Sequence, residues 1–175
     1  MARSADGGRW VDLSEETRST NFHAYIGSIA EARYVMRKVT RILDETARTH
    51  GLEPLQHQAL VQIYGTASGS VAIHELASRL DIVPAFASRL VKQLEERSLI
   101  ERALLAADKR VTLITIAESG VALLRKVDEE VHHQMAYFQR GLDERQRVAA
   151  LAIFAFYVGE PTESAIARAI RGAAG

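Results

Sequence analysis

The sequence predicts a mainly α-helical fold with a small two-stranded β-wing, and three observations carry that expectation. Apolar residues recur at three- and four-residue steps along most of the chain. Two short helical patterns in its middle are separated only by Asp81-Ile82-Val83. A pair of alternating, β-branched runs follows them. With 175 residues, 47% of them hydrophobic, the chain can bury a core without cross-links.

Residues 1–21 read as a flexible arm, because the start carries Gly7-Gly8, mixed charge and a single aromatic, Trp10. From Phe22 the apolar positions Ile26, Ile29, Ala32, Met36, Val39 and Leu43 trace one face of a long helix to Thr49, with Gly51 as its left-handed cap. Pro54 suits the first position of a second helix, whose apolar face is Leu55, Ala59, Leu60 and Ile63 and which closes at Gly65. A Gly/Ser loop follows. In VAIHELASRL, Ile73, Leu76, Ala77 and Leu80 share a face; in PAFASRLVKQLEERS, Ala87, Leu90, Val91 and Leu94 do so. So short a link, with Ile82 to fill the angle, makes a helix-turn-helix. Leu99–Arg102 and Arg110–Ile116 alternate as strands and form the wing. The helix from Glu118 to about Arg140 carries Leu124, Val127, Val131, Met135 and Phe138 near a 3.5-residue period, a stripe that calls for another helix. Gly141 ends it, and Asp143 with Gln146 forms a capping box for the next. That helix is expected to bury Val148, Leu151, Ala152 and Ala155, and a short helix is expected over Glu163–Ile170.

Several function classes are excluded or disfavoured. There is no cysteine, which removes disulfides, thiolate catalysis, Cys-ligated metals and thiol-based redox sensing. No Gly-rich phosphate loop, metal-ligand pair or nucleophile elbow appears, so neither an enzyme nor a cofactor is expected. His132 and His133 are adjacent, and neighbouring helical positions point about 100° apart, so they do not chelate one metal ion as an i, i+4 pair would. No apolar run approaches the roughly 20 residues of a membrane span, so a cytoplasmic protein without a membrane partner is expected. Twenty-two basic residues balance 22 acidic ones, so any affinity for nucleic acid must come from a local patch.

The order helix, helix, helix-turn-helix, wing and two long terminal helices, with the stretch LASRLDIVPAFASRLVKQLEERSLIER, resembles the MarR family of winged helix-turn-helix regulators over roughly Phe22 to Val158. Leu76, Leu80, Arg89, Leu90, Val91, Leu94, Glu95, Arg97, Leu99, Glu101 and Arg102 stand where that pattern expects such residues. Asp108-Lys109-Arg110 is similar to the family's wing signature, Gly120 to the glycine soon after it, and Pro54 and Gln56 to the opening of the second helix. The chain departs from the family where Val83, Pro84, Ala85 and Phe86 replace the Ser/Thr start of the recognition helix, where Ser98 replaces a glycine, and where Ala117 replaces a cap threonine for which Thr115 is the candidate substitute.

The resemblance implies an arm over 1–21, a dimerisation helix over 22–51, a winged helix-turn-helix lobe over 52–117 and C-terminal dimerisation helices over 118–175. It also implies a transcriptional regulator, expected to be a repressor, bound to double-stranded DNA at a palindromic operator as a homodimer. A helix in the major groove presents the side opposite its core stripe, here Ala85, Phe86, Ser88, Arg89 and Lys92. Ser88 and Arg89 suit base edges or phosphates, Lys92 a phosphate, and Phe86 or Ala85 a thymine methyl. Arg110 suits the minor groove, with Asp108 orienting it and Lys109 alongside. From Pro84 to Arg110 the basic residues Arg89, Lys92, Arg97, Arg102, Lys109 and Arg110 face the acidic Glu95, Glu96, Glu101 and Asp108, a slight excess. The family further implies a small-molecule effector, such as an aromatic acid or a thioester. Tyr34, Arg37, Lys38, His57 and Tyr64 are its candidate contacts. The competing reading is a winged-helix protein-interaction module without DNA binding, which the apolar helix tip and zero net charge favour.

Overall fold

The computed structural model describes residues 15–105 and 108–158, with the side chains at positions 15, 17, 105, 108–110, 144–145 and 155–158 outside that description. Trp10 and the helix expected over Glu163–Ile170 lie outside the described residues. The chain forms two compact units, one of residues 42–135 and one of the residues up to 41 and from 136 onward. In order, the elements are α1 (Glu15–Thr20), α2 (Phe22–Thr49), α3 (Pro54–Tyr64), β1 (Ser70–Ala72), α4 (Ile73–Arg79), α5 (Pro84–Glu96), β2 (Ile100–Leu105), β3 (Asp108–Ile116), α6 (Glu118–Gly141) and α7 (Glu144–Val158).

In the unit 42–135, Ala47, Leu52, Leu60, Ile63, Val71, Leu76, Leu90, Val91, Leu94, Leu99, Ile100, Ile114 and Val127 are buried in one cluster. Leu55, Ile73, Leu80, Ile82, Leu124 and Val131 are packed on it. The helix faces are those the 3.6-residue pattern implies. Three of the helices that feed this core end in the same way. Gly51, Asp81 and Ser98 take φ of 72°, 52° and 56°. The amide of each donates three residues back, and the amide of the next residue donates five back: Leu52 to Ala47 at 2.9 Å, Ile82 to Ala77 at 3.0 Å, and Leu99 to Leu94 at 3.0 Å. This is the Schellman termination, and each time the residue after the left-handed one is apolar and turns into the core. Gly51 adopts that backbone without a Cβ penalty, whereas Asp81 and Ser98 bear it.

The sheet has three strands rather than two, in the order β1-β3-β2, all antiparallel. Ser70, Val71 and Ala72 pair with Thr115, Ile114 and Leu113, while Ile100 to Leu104 pair with Ile116 to Thr112 on the other side of β3. Three residues are too few to show a period of two, and the partner of β1 lies some 40 positions away in the chain, so no local signal announces it. Where β2 and β3 separate, the pairing shifts register between Leu104 and Leu105.

The start of α6 rests on the turn after α5. Ala117 N donates to Leu99 O at 3.0 Å, and the Ser119 hydroxyl donates to the Ser98 carbonyl. Ser119, rather than Thr115, therefore ties this corner; Thr115 lies in β3 opposite Ser70 and Glu101. A Cβ at Gly120 would overlap the Leu99 carbonyl oxygen and lie 2.8 Å from Ile116 Cγ1, so only glycine lets the helix approach this closely.

In the other unit, Ala32 of α2 packs with Ala149 and Ile153 of α7, flanked by Ile29 and Met36. The buried stripe of α7 thus includes the expected Ala152, with Ala149 and Ile153 in place of the expected Val148 and Leu151. Leu151 is exposed, Val148 is half-buried, and the Ala155 side chain lies outside the described residues. Two adjacent alanines make either phase of the stripe equally apolar in sequence, and the small side chains select the closer approach to Ala32. Asp143 and Gln146 form the expected capping box, with Gln146 N donating to Asp143 Oδ1 at 2.8 Å and Asp143 N to Gln146 Oε1 at 3.3 Å. Within the segment expected as an arm, α1 ends at Asn21, whose Oδ1 accepts from Ala24 N at 3.1 Å and caps α2.

Replacing Gly120 with alanine raises intrinsic helix propensity by about 1 kcal/mol, yet the overlap with Leu99 should lower global stability by about 1–3 kcal/mol. A urea midpoint displaced downward at constant m-value is the expected result, and a displacement upward would show the approach to be looser than described. Conversely, Ser98→Gly should raise stability by about 0.5–1 kcal/mol in the same measurement, because it removes the left-handed Cβ penalty.

Candidate nucleic-acid interface

Helix α5 sits with Ala87, Leu90, Val91 and Leu94 buried, which turns Ala85, Phe86, Ser88, Arg89 and Lys92 outward; all five are exposed. Val83 precedes the helix in an extended conformation and contributes no side-chain hydrogen bond, and Pro84 opens the first turn. No side chain at the cap position therefore competes for the amides there, and the positive end of the helix dipole is open. The tip is apolar: Val83 is 67% exposed and Phe86 39%. The Arg89 guanidinium carbon stands 5.3 Å from the Phe86 ring centroid, a cation–π pair one helical turn long. The Ser88 hydroxyl donates to the Pro84 carbonyl at 3.0 Å, so outward it presents lone pairs rather than a proton.

Among the described residues, the other basic side chains near this face are engaged. Arg102 pairs with Glu95, and that hydrogen bond holds the Glu95 carboxyl below its ordinary range and raises Arg102. Lys92 Nζ lies 3.8 Å from Glu96 Oε1, an exposed pair that is readily exchanged for a phosphate. Arg97 donates to the buried Gln56 Oε1 at 3.0 Å, which also accepts from Glu53 N at 3.1 Å, while Gln56 Nε2 donates to Gln93 Oε1 at 3.4 Å. This network fastens the end of α5 to the start of α3. Among the described residues Arg89 has no carboxylate partner. The side chains of Asp108, Lys109 and Arg110 lie outside the described residues, although their backbone belongs to β3. Residue-by-residue inspection of the sequence missed the Gln56–Arg97–Gln93 network, whose members are far apart in the chain.

The candidate effector contacts fall in both units. Tyr34, Arg37 and Lys38 belong to the first, with Lys38 Nζ 5.6 Å from the Tyr34 ring centroid and Arg37 exposed. His57 and Tyr64 belong to the second, seven residues apart on α3, with His57 buried and Tyr64 half exposed. None of the five lines the cleft of about 390 Å³ formed by His50, Lys126, Glu129, Glu130 and His133, where His50 Nε2 lies 3.2 Å from Glu130 Oε2. Among the described residues no group of three metal-ligating side chains occurs, and no helix is long and apolar enough to cross a membrane.

Residues 50–111 match the family model described as MarR family, a span that holds α3, β1, α4, α5, β2 and the start of β3. Over these residues the chain is similar to the MarR family. A curated relative, described as an uncharacterized HTH-type transcriptional regulator, YhbI of Bacillus subtilis (strain 168), is 28% identical over 115 residues, 66% of this chain and 73% of that protein. Among solved structures, the chain is similar to RV1404 from Mycobacterium tuberculosis, with a TM-score of 0.62, 24% identity, and 78% and 95% of the two chains covered. It is also similar to a variant of S. aureus MepR bound to an oligodeoxyribonucleotide, with a TM-score of 0.55, 20% identity, and 73% and 92% covered. These likenesses establish the fold.

Burial holds the His57 imidazole below its ordinary pKa, against the opposing pull of Asp44 and Asp128. A histidine whose folded pKa is depressed binds protons more readily when unfolded. Above about pH 6.5 both states are neutral and the shift costs nothing; below that the folded state loses stability until the folded pKa is passed. Melting temperature should therefore fall as pH is lowered from 7 toward 5, and His57→Gln should flatten that slope. An unchanged slope in the variant would remove His57 as its source.

Proposed function

We propose that the protein is a dimeric transcriptional regulator that binds double-stranded DNA through α5, acting as a repressor at a palindromic operator and released by a small-molecule effector. The observation that carries this reading is the outward face of α5, where an uncapped helix start, Arg89 without a carboxylate partner and the loosely held Lys92 lie side by side. Such a face suits a major groove, with Ser88 and Arg89 toward base edges and Lys92 toward a phosphate. The wing residues Lys109 and Arg110 reach the adjacent minor groove, with Asp108 orienting Arg110. The description of YhbI as a transcriptional regulator and the oligodeoxyribonucleotide held by the MepR variant support the same reading.

The segments 22–51 and 118–175 serve as dimerisation elements around a lobe spanning 52–117. Exposed apolar side chains support this assignment: Phe22 and Ile26 on α2, Tyr137 on α6, and Leu151 and Phe154 on α7. Two copies related by a two-fold axis read a palindrome. For the effector, an aromatic acid or thioester, Arg37 and Lys38 offer charge, and Tyr34, His57 and Tyr64 offer aromatic or hydrogen-bonding contacts. A screen for ligands that raise the melting temperature tests this part. The competing reading, a protein-interaction module, draws on the exposed Val83 and Phe86.

A mobility-shift titration against the DNA upstream of its own gene, repeated at several salt concentrations, separates the two. Binding that weakens steeply with salt is expected, and salt-insensitive or absent binding would favour the interaction module. Arg89→Ala and Arg110→Ala should each weaken operator binding by about 1–3 kcal/mol, with the sedimentation behaviour of the dimer unchanged. Parental affinity in both variants would refute the assignment of these residues to DNA.

A further inference from the structure

We propose that Phe86 and Arg89 form a single reading unit, specific for the 5-methyl group of a thymine that neighbours a guanine, so that each operator half-site is selected by an apolar contact as well as by hydrogen bonds. The inference rests on the DNA-binding reading above and names what its recognition helix reads. The first turn of a helix in the major groove is the part that meets base edges. Here that turn offers Val83, Ala85 and Phe86, all exposed, and none of their side chains carries a hydrogen-bonding atom. A guanine, adenine or cytosine edge set against them loses its water without gaining a partner. Thymine alone presents a carbon substituent in the major groove.

Phe86 has a favourable neighbour on its own helix. The Arg89 guanidinium carbon lies over its ring, 5.3 Å from the centroid, while the residue keeps 39% of its surface open. The cation lies over the ring, and the open part of the residue remains for a methyl group. The distance between the two side chains is comparable with one or two base steps of about 3.4 Å. Arg89 at this distance is placed for the O6 and N7 acceptors of a guanine beside the thymine. Ser88, with its proton directed at the Pro84 carbonyl, adds an acceptor and so does not compete for those atoms.

The test uses synthetic duplexes carrying the sequence that the protein protects in a footprint of its own upstream DNA. Each thymine is replaced in turn by deoxyuridine, which deletes the methyl and leaves pairing intact. One thymine per half-site should then cost about fourfold in affinity, and about fifteenfold when both symmetry-related copies are changed, as expected for one buried methyl each. Phe86→Gln should bind the parental duplex with a similar loss and become indifferent to deoxyuridine there, whereas Phe86→Leu, which keeps an apolar edge, should retain the penalty. Substituting 7-deazaguanine for the adjacent guanine should weaken the parent protein and leave Arg89→Ala unaffected. Full affinity for every deoxyuridine duplex, in a protein that binds its operator, overturns this inference alone. Failure to bind any upstream fragment overturns the regulator reading and this inference with it.

Discussion

The lobe depends on one repeated constraint: a helix must stop, reverse through a left-handed residue and return an apolar side chain to the core it has just left. Leu52, Ile82 and Leu99 are those side chains. Each six-to-one hydrogen bond satisfies a carbonyl that would otherwise be orphaned and, by the same geometry, fixes where the next element starts. Ile82 sets the angle from α4 into α5, and Leu99 sets the step from α5 into β2. The Leu99 carbonyl is then met by Ala117 and by the bare backbone of Gly120, which brings α6 onto the same corner. Because both ends of α5 are set in this way, its buried face has a single rotational phase, and the outward residues follow from it without further specification.

Electrostatics are arranged locally rather than globally. A chain with 22 basic and 22 acidic residues has no net attraction for a polyanion, and interactions between exposed charges are largely screened beyond about 8–10 Å in physiological salt. What matters is which cations near the exposed helix face are already used. Arg102 is taken by Glu95 and Arg97 by Gln56, so both act in holding the lobe together. Among the described residues Arg89 is left without a carboxylate partner, reinforced by an unblocked helix start. Counting charges over Pro84–Arg110 treats six cations as equivalent when their partners make them different.

Much of this was legible in the sequence because it depends on periodicity and on local backbone chemistry. The five helices from α2 to α6, the left-handed Gly51, Pro54 at a first turn, and the outward set on α5 all follow from spacing alone. The strand β1 was not legible, since three residues become a strand only when β3 arrives beside them. The phase of α7 was lost for a different reason: an alanine-rich stripe has nearly the same hydrophobicity on neighbouring faces, and contact with Ala32 decides between them. Of the candidate site, exposure could be read from the pattern, but the Phe86–Arg89 contact, the Glu95–Arg102 pair and the Gln56 network depend on side-chain directions and on neighbours 37 and 41 residues apart.

The apolar start of α5 follows from how the rest of that helix is held. Giving up a Ser, Thr, Asp or Asn cap costs a helix about 1 kcal/mol, and a helix of 13 residues is marginal by itself. Here Pro84 restricts the first turn to helical φ, four side chains lie in the core, and at the far end Arg97 and Gln93 are bonded to Gln56, itself buried and anchored on the backbone of Glu53. With its C-terminal end tied to α3 and its middle packed, the helix does not need a polar side chain at its beginning to persist. That position is thereby released from a structural duty, and Val83 and Phe86 can occupy it for what they present outward.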